Sequence, residues 1–440
     1  MTSLEPHIGQ SHRRQNALRH LAGRGQFVTD LVLPRMLHAA FVRSPMAKGK
    51  IARLEVEDAA AAPGVVRVFS ARSLNGTCQP WTGTLEHFAG MQSGPQNMLA
   101  DTEVLWVGHP VVMIVAHSRA EAEDACDLVV LEIDDEEAVV DGAAALAEGA
   151  PLAADGITSN LCFQTLLETP DVEAAFARAA HVVEGSFTFG RHTAVTLEPR
   201  AIIADFDPST GQLNVHHATQ TPYQFQDVYA RHFGLPEGKV RVIAPDIGGS
   251  FGMKLHVYNE EMATVAASLV LGRPVRFVAD RLESFLSDIH ARDHRVTARM
   301  AVDCDGTILA MDVEDMTQIG AFSTYPRTSA AEGNQVIRLM GAPYRMSDYR
   351  GRLSVAFQNK VQTSQYRAVG HPIACAVTEA LVDRAAETLG LDPFEIRKRN
   401  LLADDAYPHV SATGYQFEKL SHQAALSKLR QMMGYEALRE

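Results

Sequence analysis

The segment KVRVIAPDIGGSFGMKLHVYNEEMATVAASLVLG, residues 239–272, carries the clearest indication of fold in this chain. A strand-like run, KVRVIA, leads into the turn DIGGSFGMK, and a helix is predicted from about His256 to Leu271, where Gly272 and Pro274 end it. Glycines in such a turn permit positive φ angles and let backbone amides approach a ligand, while the helix start adds unpaired N–H donors. The turn lacks the Gly-Lys-Thr or Gly-Lys-Ser ending of a phosphate-binding loop and the Gly-x-Gly-x-x-Gly spacing of a dinucleotide site. From composition alone it is either a ligand-binding loop or a tight connection that binds nothing.

A second helix is predicted upstream of this segment, immediately after the strand-like run LNVHHA. Thr221 is expected to cap it, with Pro222 in the first turn and Gln224 completing a capping box. Gly234 is expected to end it, because glycine readily adopts the left-handed conformation of a helix C-terminus.

Three more helices are predicted toward the end of the chain. One begins near Pro372 and stops at Gly390, with a single apolar face made of Ile373, Val377, Leu381, Ala385 and Leu389. Another begins at residues 392–395, Asp-Pro-Phe-Glu, by the same capping logic. The last is amphipathic and runs from about His422 to Glu440.

The chain is predicted to combine an α+β part with an α/β part. Between Gly25 and about Val140, short apolar runs and turn formers surround one helical stretch, which is typical of an α+β unit. Hydrophobic periodicity is then lost in a connection rich in Ala, Gly and Asp. Beyond it strands alternate with helices, so we expect a domain boundary near residue 155.

Composition and charge exclude several classes of function. The 440 residues carry a formal net charge of -13 and no long basic run, which argues against a nucleic-acid partner. No apolar run approaches the roughly 20 residues of a membrane helix, so no membrane span is expected. Arg13 and Arg14 are not followed by the apolar core of an export signal, so a cytoplasmic location is expected. The five cysteines form no Cys-x-x-Cys pair, so no metal or iron–sulfur cluster is expected on sulfur of this chain.

Several segments, in the same order, resemble the large subunits of the xanthine oxidase and aldehyde oxidase family. The turn at residues 246–254 is similar to the family's Gly-Gly-Phe-Gly-x-Lys turn, which contacts the molybdenum cofactor. The resembling segments are GRGQFVTDLVLPRMLHAAFVRSP, WVGHPVVMIVAHSRAEAEDACDLV, EPRAIIADFD, TQTPYQ, LPEGKVRVIAPDIGGSFGMK, LGRPVRFVADRLESF and YRAVGHPIACAVTEALVDRAAETLGLDPFEIRKRNLL. The resemblance covers most of residues 8–437.

The resemblance implies a domain order and a set of cofactors. It implies an N-terminal arm at residues 1–22, an a/b hammerhead domain at 23–150, and a mixed α/β molybdenum-cofactor-binding domain at 151–405. Residues 406–440 would be the start of a second cofactor-binding domain or a docking helix. The implied cofactor is molybdenum–molybdopterin, with its cytosine dinucleotide form as an open alternative, and the metal is held by the pterin dithiolene. Iron–sulfur clusters and FAD are implied on partner subunits.

Five residues are implied to lie at this cofactor. Gln220 matches the glutamine whose side-chain amide hydrogen-bonds an oxo ligand of molybdenum, and Gly249 belongs to the turn that contacts the cofactor. Phe251 and Gly252 match residues that wall the substrate pocket and bring a backbone amide near the metal. Arg367, in the segment Tyr-Arg-Ala, matches an arginine beside the metal, where a buried guanidinium would stabilise negative charge on the substrate. Without the resemblance, the alternatives are a surface glutamine, a core phenylalanine and a surface arginine in an ion pair.

Departures from the family pattern bear on the substrate. Purine-oxidising relatives carry a glutamate just after the glycine turn, where this chain has Met253, Lys254 and Leu255, so xanthine is disfavoured. Copper-containing carbon monoxide dehydrogenases carry a cysteine where this chain has Ala368, so oxidation of carbon monoxide is disfavoured too. The general-base glutamate lies in a later half of the family's subunits. Glu198 is a local candidate for this base, but a structural turn is the preferred interpretation of its segment.

The leading hypothesis is therefore a split large subunit. This chain would form half of a molybdenum hydroxylase that oxidises an aldehyde or an N-heterocyclic substrate, with water as the oxygen source. Its expected partners are a second-half polypeptide, which brings the general base, an iron–sulfur small subunit and an FAD-binding medium subunit. The rival hypothesis is a non-catalytic cofactor-binding or assembly subunit, and a truncated product is a third.

Overall fold

The computed structural model describes residues 7–439, so residues 1–6 of the predicted arm and Glu440 lie outside the described part. The strands are β1 (Leu37–Arg43), β2 (Gly49–Glu55), β3 (Val65–Ser70), β4 (Glu103–Val104), β5 (Pro110–Ala116), β6 (Val130–Asp135), β7 (Leu161–Glu168), β8 (His181–Phe189), β9 (His192–Thr193), β10 (Ala201–Asp207), β11 (Gln212–His217), β12 (Val240–Ile243), β13 (Val275–Val278), β14 (His290–Ala291), β15 (His294–Val302), β16 (Ile308–Gln318), β17 (Asp348–Ala356), β18 (His409–Val410) and β19 (Gln416–Phe417). The helices are α1 (Ala17–Leu21), α2 (Glu57–Ala61), α3 (Arg119–Cys126), α4 (Gly142–Ala145), α5 (Val172–Arg178), α6 (Pro222–Phe233), α7 (Asn259–Leu271), α8 (Arg281–Ser287), α9 (Ala330–Leu339), α10 (His371–Leu389), α11 (Pro393–Asn400), α12 (His422–Met433) and α13 (Tyr435–Arg439). Over residues 7–439, no helix has the length and apolar character needed to cross a membrane.

The larger main sheet has seven strands in the order β12-β11-β10-β13-β1-β5-β3. All residues of β5, PVVMIVA, are buried, which accounts for its unbroken apolar run. Strand β1 pairs in parallel with β13, Leu37 opposite Val275, so strands from both sides of residue 155 lie in one sheet. The boundary near residue 155 stays a prediction. The sheet is continuous across it, because strands from before and after residue 155 are paired in the same sheet.

Helices cover parts of both faces of this sheet. Side chains of α6 and α7 pack in one apolar cluster with Leu37 and Phe41 of β1. Ala40 of the same strand packs in another cluster with alanines of α2 and α3. Because successive side chains of a strand point to opposite faces, β1 contributes to two cores at once.

The second main sheet has five strands in the order β7-β17-β16-β15-β8, and α9 and α10 contribute to its core. The apolar face predicted for α10 is confirmed: Ile373, Val377, Leu381 and Ala385 are buried and Leu389 is partly buried. Gly390 ends this helix with φ 65°, as predicted.

Two details of the predicted helix starts were wrong. Helix α6 does begin at Pro222, but the Thr221 side chain forms no capping hydrogen bond. Gln224 forms no capping box because its Nε2 donates to the carbonyl of Leu255, 2.6 Å away. Helix α7 begins at Asn259 and not near His256, because residues 253–255 form a separate 3-10 turn.

The last predicted helix is two helices in the structure. Gly434, with φ 59°, ends α12, and α13 follows it in a new direction. Leu426, Leu429 and Met433, predicted to share one side of a single helix, line a groove between α12 and the α10–α11 pair. The predicted helix ran to Glu440, and Gly434 interrupts it before that end.

Candidate cofactor site

The glycine turn between β12 and α7 is shaped by left-handed backbone conformations. Gly249 has φ 103°, Phe251 has φ 55° and Gly252 has φ 104°. A Cβ at Gly252 would lie 2.5 Å from the carbonyl oxygen of Gln365, so only glycine fits there without a shift of the backbone. The turn is therefore pressed against the segment that carries Arg367.

Gln220 lies three residues beyond the end of β11, and its side-chain amide faces this turn. Its Oε1 accepts the amide N–H of Gly252 at 3.1 Å and also accepts the hydroxyl of Ser250. A backbone N–H can only donate, so the atom facing it must be the amide oxygen. The two N–H donors of Gln220 Nε2 consequently point elsewhere, and they have no acceptor among residues 7–439.

The Arg367 segment is fastened to the same turn through its backbone. The amide of Arg367 donates to the carbonyl of Phe251 at 2.8 Å, and Arg292 Nη2 donates to the carbonyl of Arg367 at 3.0 Å. Ala368 and Val369 then turn the chain with φ 70° and 51°. With the backbone held on both sides, the Arg367 side chain projects outward and is exposed.

The expectation of a buried Arg367 was therefore wrong for this chain alone. The surface ion pair, which was the alternative, is not formed either within the described residues. The guanidinium keeps all its donors available on the face that also carries Gln220 and Phe251. Anything that covers this face would bury it.

Exposed apolar side chains belong to the glycine turn and to two segments that contact it. The Phe251 ring is 43% exposed, Leu197 is 92% exposed, and Tyr223, at the start of α6, is 86% exposed. Single exposed apolar residues are ordinary, but large ones close in the chain to unpaired donors are compatible with a binding face. Gly249 joins this group through the ring of Phe251, which lies 3.1 Å from the position that a Cβ on Gly249 would occupy.

A buried ion pair supports the turn from behind. Lys254 Nζ donates to Glu198 Oε2 at 3.0 Å and to the Glu198 carbonyl at 2.8 Å. Glu198 Oε2 also accepts the amide of Gly248 at 2.7 Å, and the Lys254 carbonyl accepts the amide of Gln220 at 3.2 Å. Burial lowers the pKa of Lys254, and the charge of Glu198 opposes that effect.

Lys254 thus connects the position of Gln220 to the position of the glycine turn. The sequence reasoning included Lys254 in the motif without assigning it this role. The signal that could have found it is a lysine inside a glycine-rich turn between a strand and a helix, because a lysine that is buried there must be paired.

A second set of buried charges extends the support toward β1. Arg200 is fully buried, and it donates from Nε to Asp288 at 2.5 Å and from Nη1 to Glu260 at 3.2 Å. Glu260 also accepts from Arg43 Nη1 at 2.6 Å. The sequence reasoning missed this network, because its members come from strands and helices far apart in the chain.

A third cluster of buried charges lies behind Arg367. Arg292 forms an ion pair with Glu332, and His294 Nδ1 lies 2.9 Å from Asp315 Oδ1. Burial lowers the pKa of His294, but the carboxylates of Asp315 and Glu332 outweigh it and raise the pKa to about 10. His294 is therefore protonated at neutral pH and belongs to the buried charge cluster behind Arg367.

The exposed donors of this face fit an oxygen-rich, anionic group. The amides of Gly249, Ser250 and Phe251 have no acceptor within residues 7–439, and neither does Gln220 Nε2. Converging backbone N–H groups in left-handed turns form concave sites for oxo and phosphate groups. In the described part of the chain, no set of three or more His, Cys, Asp or Glu side chains is arranged to hold a metal ion.

The chain is similar to known molybdenum enzymes along nearly its whole length. Residues 22–137 match the aldehyde oxidase and xanthine dehydrogenase a/b hammerhead domain, and residues 155–401 match the molybdopterin cofactor-binding domain. Over 437 residues the chain is 33% identical to the nicotine 6-hydroxylase large subunit of Paenarthrobacter nicotinovorans. The crystal structure of quinoline 2-oxidoreductase from Pseudomonas putida 86 superposes with a TM-score of 0.94 at 35% identity.

The lengths of these relatives differ from the length of this chain. The alignments cover 98% of this chain, but only 52% of the nicotine enzyme subunit and 55% of the quinoline enzyme chain. The chain therefore spans about half the length of these relatives. The nicotinate dehydrogenase large molybdopterin subunit of Eubacterium barkeri, 27% identical, is covered over 98% of both chains.

Proposed function

The chain belongs to the xanthine oxidase family of molybdopterin-binding large subunits, and from that premise we propose that it forms half of the catalytic subunit of a molybdenum hydroxylase. The family and the fold class predicted from the sequence are confirmed by the same similarities. The complete enzyme oxidises a carbon of an N-heterocyclic or aldehyde substrate, takes oxygen from water and passes electrons to iron–sulfur and FAD subunits.

One observation carries the proposal: Gln220 turns its oxygen to the Gly252 amide and leaves its NH₂ group free on the exposed face. That NH₂ group would donate to an oxygen atom of the bound cofactor, and the free amides of residues 249–251 would supply further donors. When bound, the molybdenum cofactor supplies the two-electron oxidation. The Phe251 ring forms a wall of the substrate pocket, and Arg367 places positive charge where the substrate becomes negative.

The general base comes from another polypeptide. Glu198, the local candidate, is 8% exposed, and one of its carboxylate oxygens is held by the Gly248 amide and by Lys254. A general base must reach the proton that it removes, and this carboxylate lies behind the turn. The nicotinate dehydrogenase large molybdopterin subunit of Eubacterium barkeri matches this chain over 98% of its own length, which is compatible with this proposal.

An N-heterocycle is the favoured substrate class. The similar enzymes named above are named for nicotine, quinoline and nicotinate, which all contain a nitrogen heterocycle. Xanthine is disfavoured because Leu255 follows Lys254, so the chain has no carboxylate where purine-oxidising relatives carry a glutamate. Carbon monoxide is disfavoured because Ala368 cannot bind copper.

The test is to coexpress the chain with the second-half, iron–sulfur and FAD subunits and to measure molybdenum by mass spectrometry. Mass spectrometry of the released pterin also identifies the plain or dinucleotide form. We expect about one molybdenum per complex and turnover of a nitrogen heterocycle. A fully assembled complex without molybdenum contradicts the proposal. Molybdenum with unchanged turnover in Gln220→Leu favours the non-catalytic alternative, and Gln226→Leu on α6 serves as the matched control.

A further inference from the structure

A small cavity of about 180 Å³ lies on the seven-stranded sheet. Its walls are Thr29, His38, Ala39, Arg119, Arg276 and Val278. His38 of β1 and Arg276 of β13 are directly paired in the parallel ladder that joins the two strands. The cavity therefore lies over the strand pair that connects the early and late parts of the chain.

Basic groups dominate this cavity. Arg276 is half-buried, and its Nη1 donates only to the carbonyls of Thr29 and Leu31, each at 3.3 Å. Arg276 forms no ion pair with another described residue, and its pKa is lowered by burial and by the nearby charge of Arg119. Burial, Arg276 and Arg119 lower the pKa of His38 as well. A guanidinium that is partly removed from water without a counter-ion is unfavourable unless something else neutralises it.

Few acids are available to neutralise these groups. Glu123 pairs with Arg119 through Nε at 2.5 Å, which leaves the other guanidinium donors of Arg119 free. In the adjoining groove, Glu283 is paired with Arg43, and Asp280 caps α8. The chain as a whole carries a net charge of -13, so this cluster is not part of a generally basic surface.

We propose that this cavity binds a small oxyanion of the phosphate type between Arg276, Arg119 and His38. Guanidinium groups recognise such anions through paired N–H donors, and the imidazole adds a neutral donor. The bound anion would contact β1, β13 and α3 together, and so stabilise the seam between the two parts of the chain. The proposal does not depend on molybdenum chemistry.

The test is calorimetric titration of the full chain, in its purified complex, with inorganic phosphate, and with sodium chloride at matched ionic strength. Saturable one-site binding of phosphate is expected. Arg276→Gln and Arg119→Gln each remove a charged hydrogen-bond donor and should weaken binding at least about tenfold. Arg241→Gln, at an exposed position of β12 in the same sheet, makes the same change in charge and should bind phosphate like the wild type.

Circular dichroism checks that the variants fold, and Arg119→Gln leaves the carbonyl contacts of Arg276 intact. A parallel titration with adenosine monophosphate distinguishes free phosphate from a phosphate carried by a larger molecule, and binding of either supports the proposal. Absence of saturable binding overturns it, as does equal affinity in the wild type and both cavity variants. A third outcome would also overturn the proposal: the wild type does not bind phosphate, and the cavity variants lose a polypeptide that copurifies with the wild type. That outcome would assign the cavity to a carboxylate of a partner protein.

Discussion

Lys254→Met directly tests how the glycine turn is held. Methionine nearly preserves the length of the side chain but removes its charge and its donors. The Glu198 carboxylate would keep the Gly248 amide at 2.7 Å and lose the ammonium group at 3.0 Å. Its Oε1 is already without a partner among the described residues. A buried carboxylate would then be left with a single hydrogen bond.

The magnitude follows from the burial of this pair. The Lys254 side chain is 1% exposed and that of Glu198 is 6% exposed, so solvent screens their interaction very little. Removing one partner of a buried ion pair costs about 3–5 kcal/mol. At 1.4 kcal/mol for each factor of ten, the turn should open at least about 100-fold more often. Replacing both charges, in Glu198→Gln with Lys254→Met, should recover most of the loss, because a neutral amide can still accept the Gly248 N–H.

Hydrogen exchange, followed by mass spectrometry, measures this opening in peptides that cover residues 246–254 and Gln220. The Gln220 peptide is included because its amide donates to the Lys254 carbonyl. Lys239→Met, at an exposed lysine just before β12, is the matched control and should exchange like the wild type. Exchange in Lys254→Met within about threefold of the wild type would refute the reasoning, as would a double variant that exchanges as fast as the single one.

Three further predictions concern Gln220, Gly252 and the buried His294. Gln220→Leu should lower kcat of the complete enzyme about 10- to 100-fold, while KM changes little. The reason is that it removes a hydrogen bond to a charged group, which is worth about 1.5–3 kcal/mol. Steady-state kinetics check this prediction, and an unchanged kcat counts against the role of Gln220. Gly252→Ala should destabilise the turn by about 1–3 kcal/mol, because the new Cβ would clash with the Gln365 carbonyl and alanine disfavours this left-handed conformation. Hydrogen exchange at residues 246–254 should become faster. Exchange at the wild-type rate would contradict the prediction. His294 has a folded-state pKa raised to about 10, so its contribution to stability is complete below about pH 6.5 and is lost as the pH rises through 10. The urea midpoint of the chain should therefore fall between pH 8 and pH 10.5, and Asp315→Asn should flatten this fall; a fall of equal size in the variant would contradict the assignment.

The sequence by itself determined the elements whose causes lie within a few neighbouring residues. The strand–turn–helix around residues 246–254, the apolar face of α10 and the helix ends at Gly234 and Gly390 all follow from local periodicity and glycine conformation. The resemblance of several sequence segments, in the same order, also indicated the family. Gly434 shows the limit of this reasoning, because the helical pattern was extended past a glycine that adopts a left-handed conformation and ends the helix.

Tertiary structure alone decided how distant residues meet. The orientation of the Gln220 amide depends on an N–H donor 32 residues away, and the support from Lys254 depends on a carboxylate 56 residues away. Such contacts depend on three-dimensional packing, which local sequence patterns do not encode. Arg367 was predicted to be buried, but its backbone is held by Phe251 and Arg292, so the side chain is free to face outward. The resemblance named the residues of the site, but only the folded chain shows which hydrogen bonds and buried charges hold them in place.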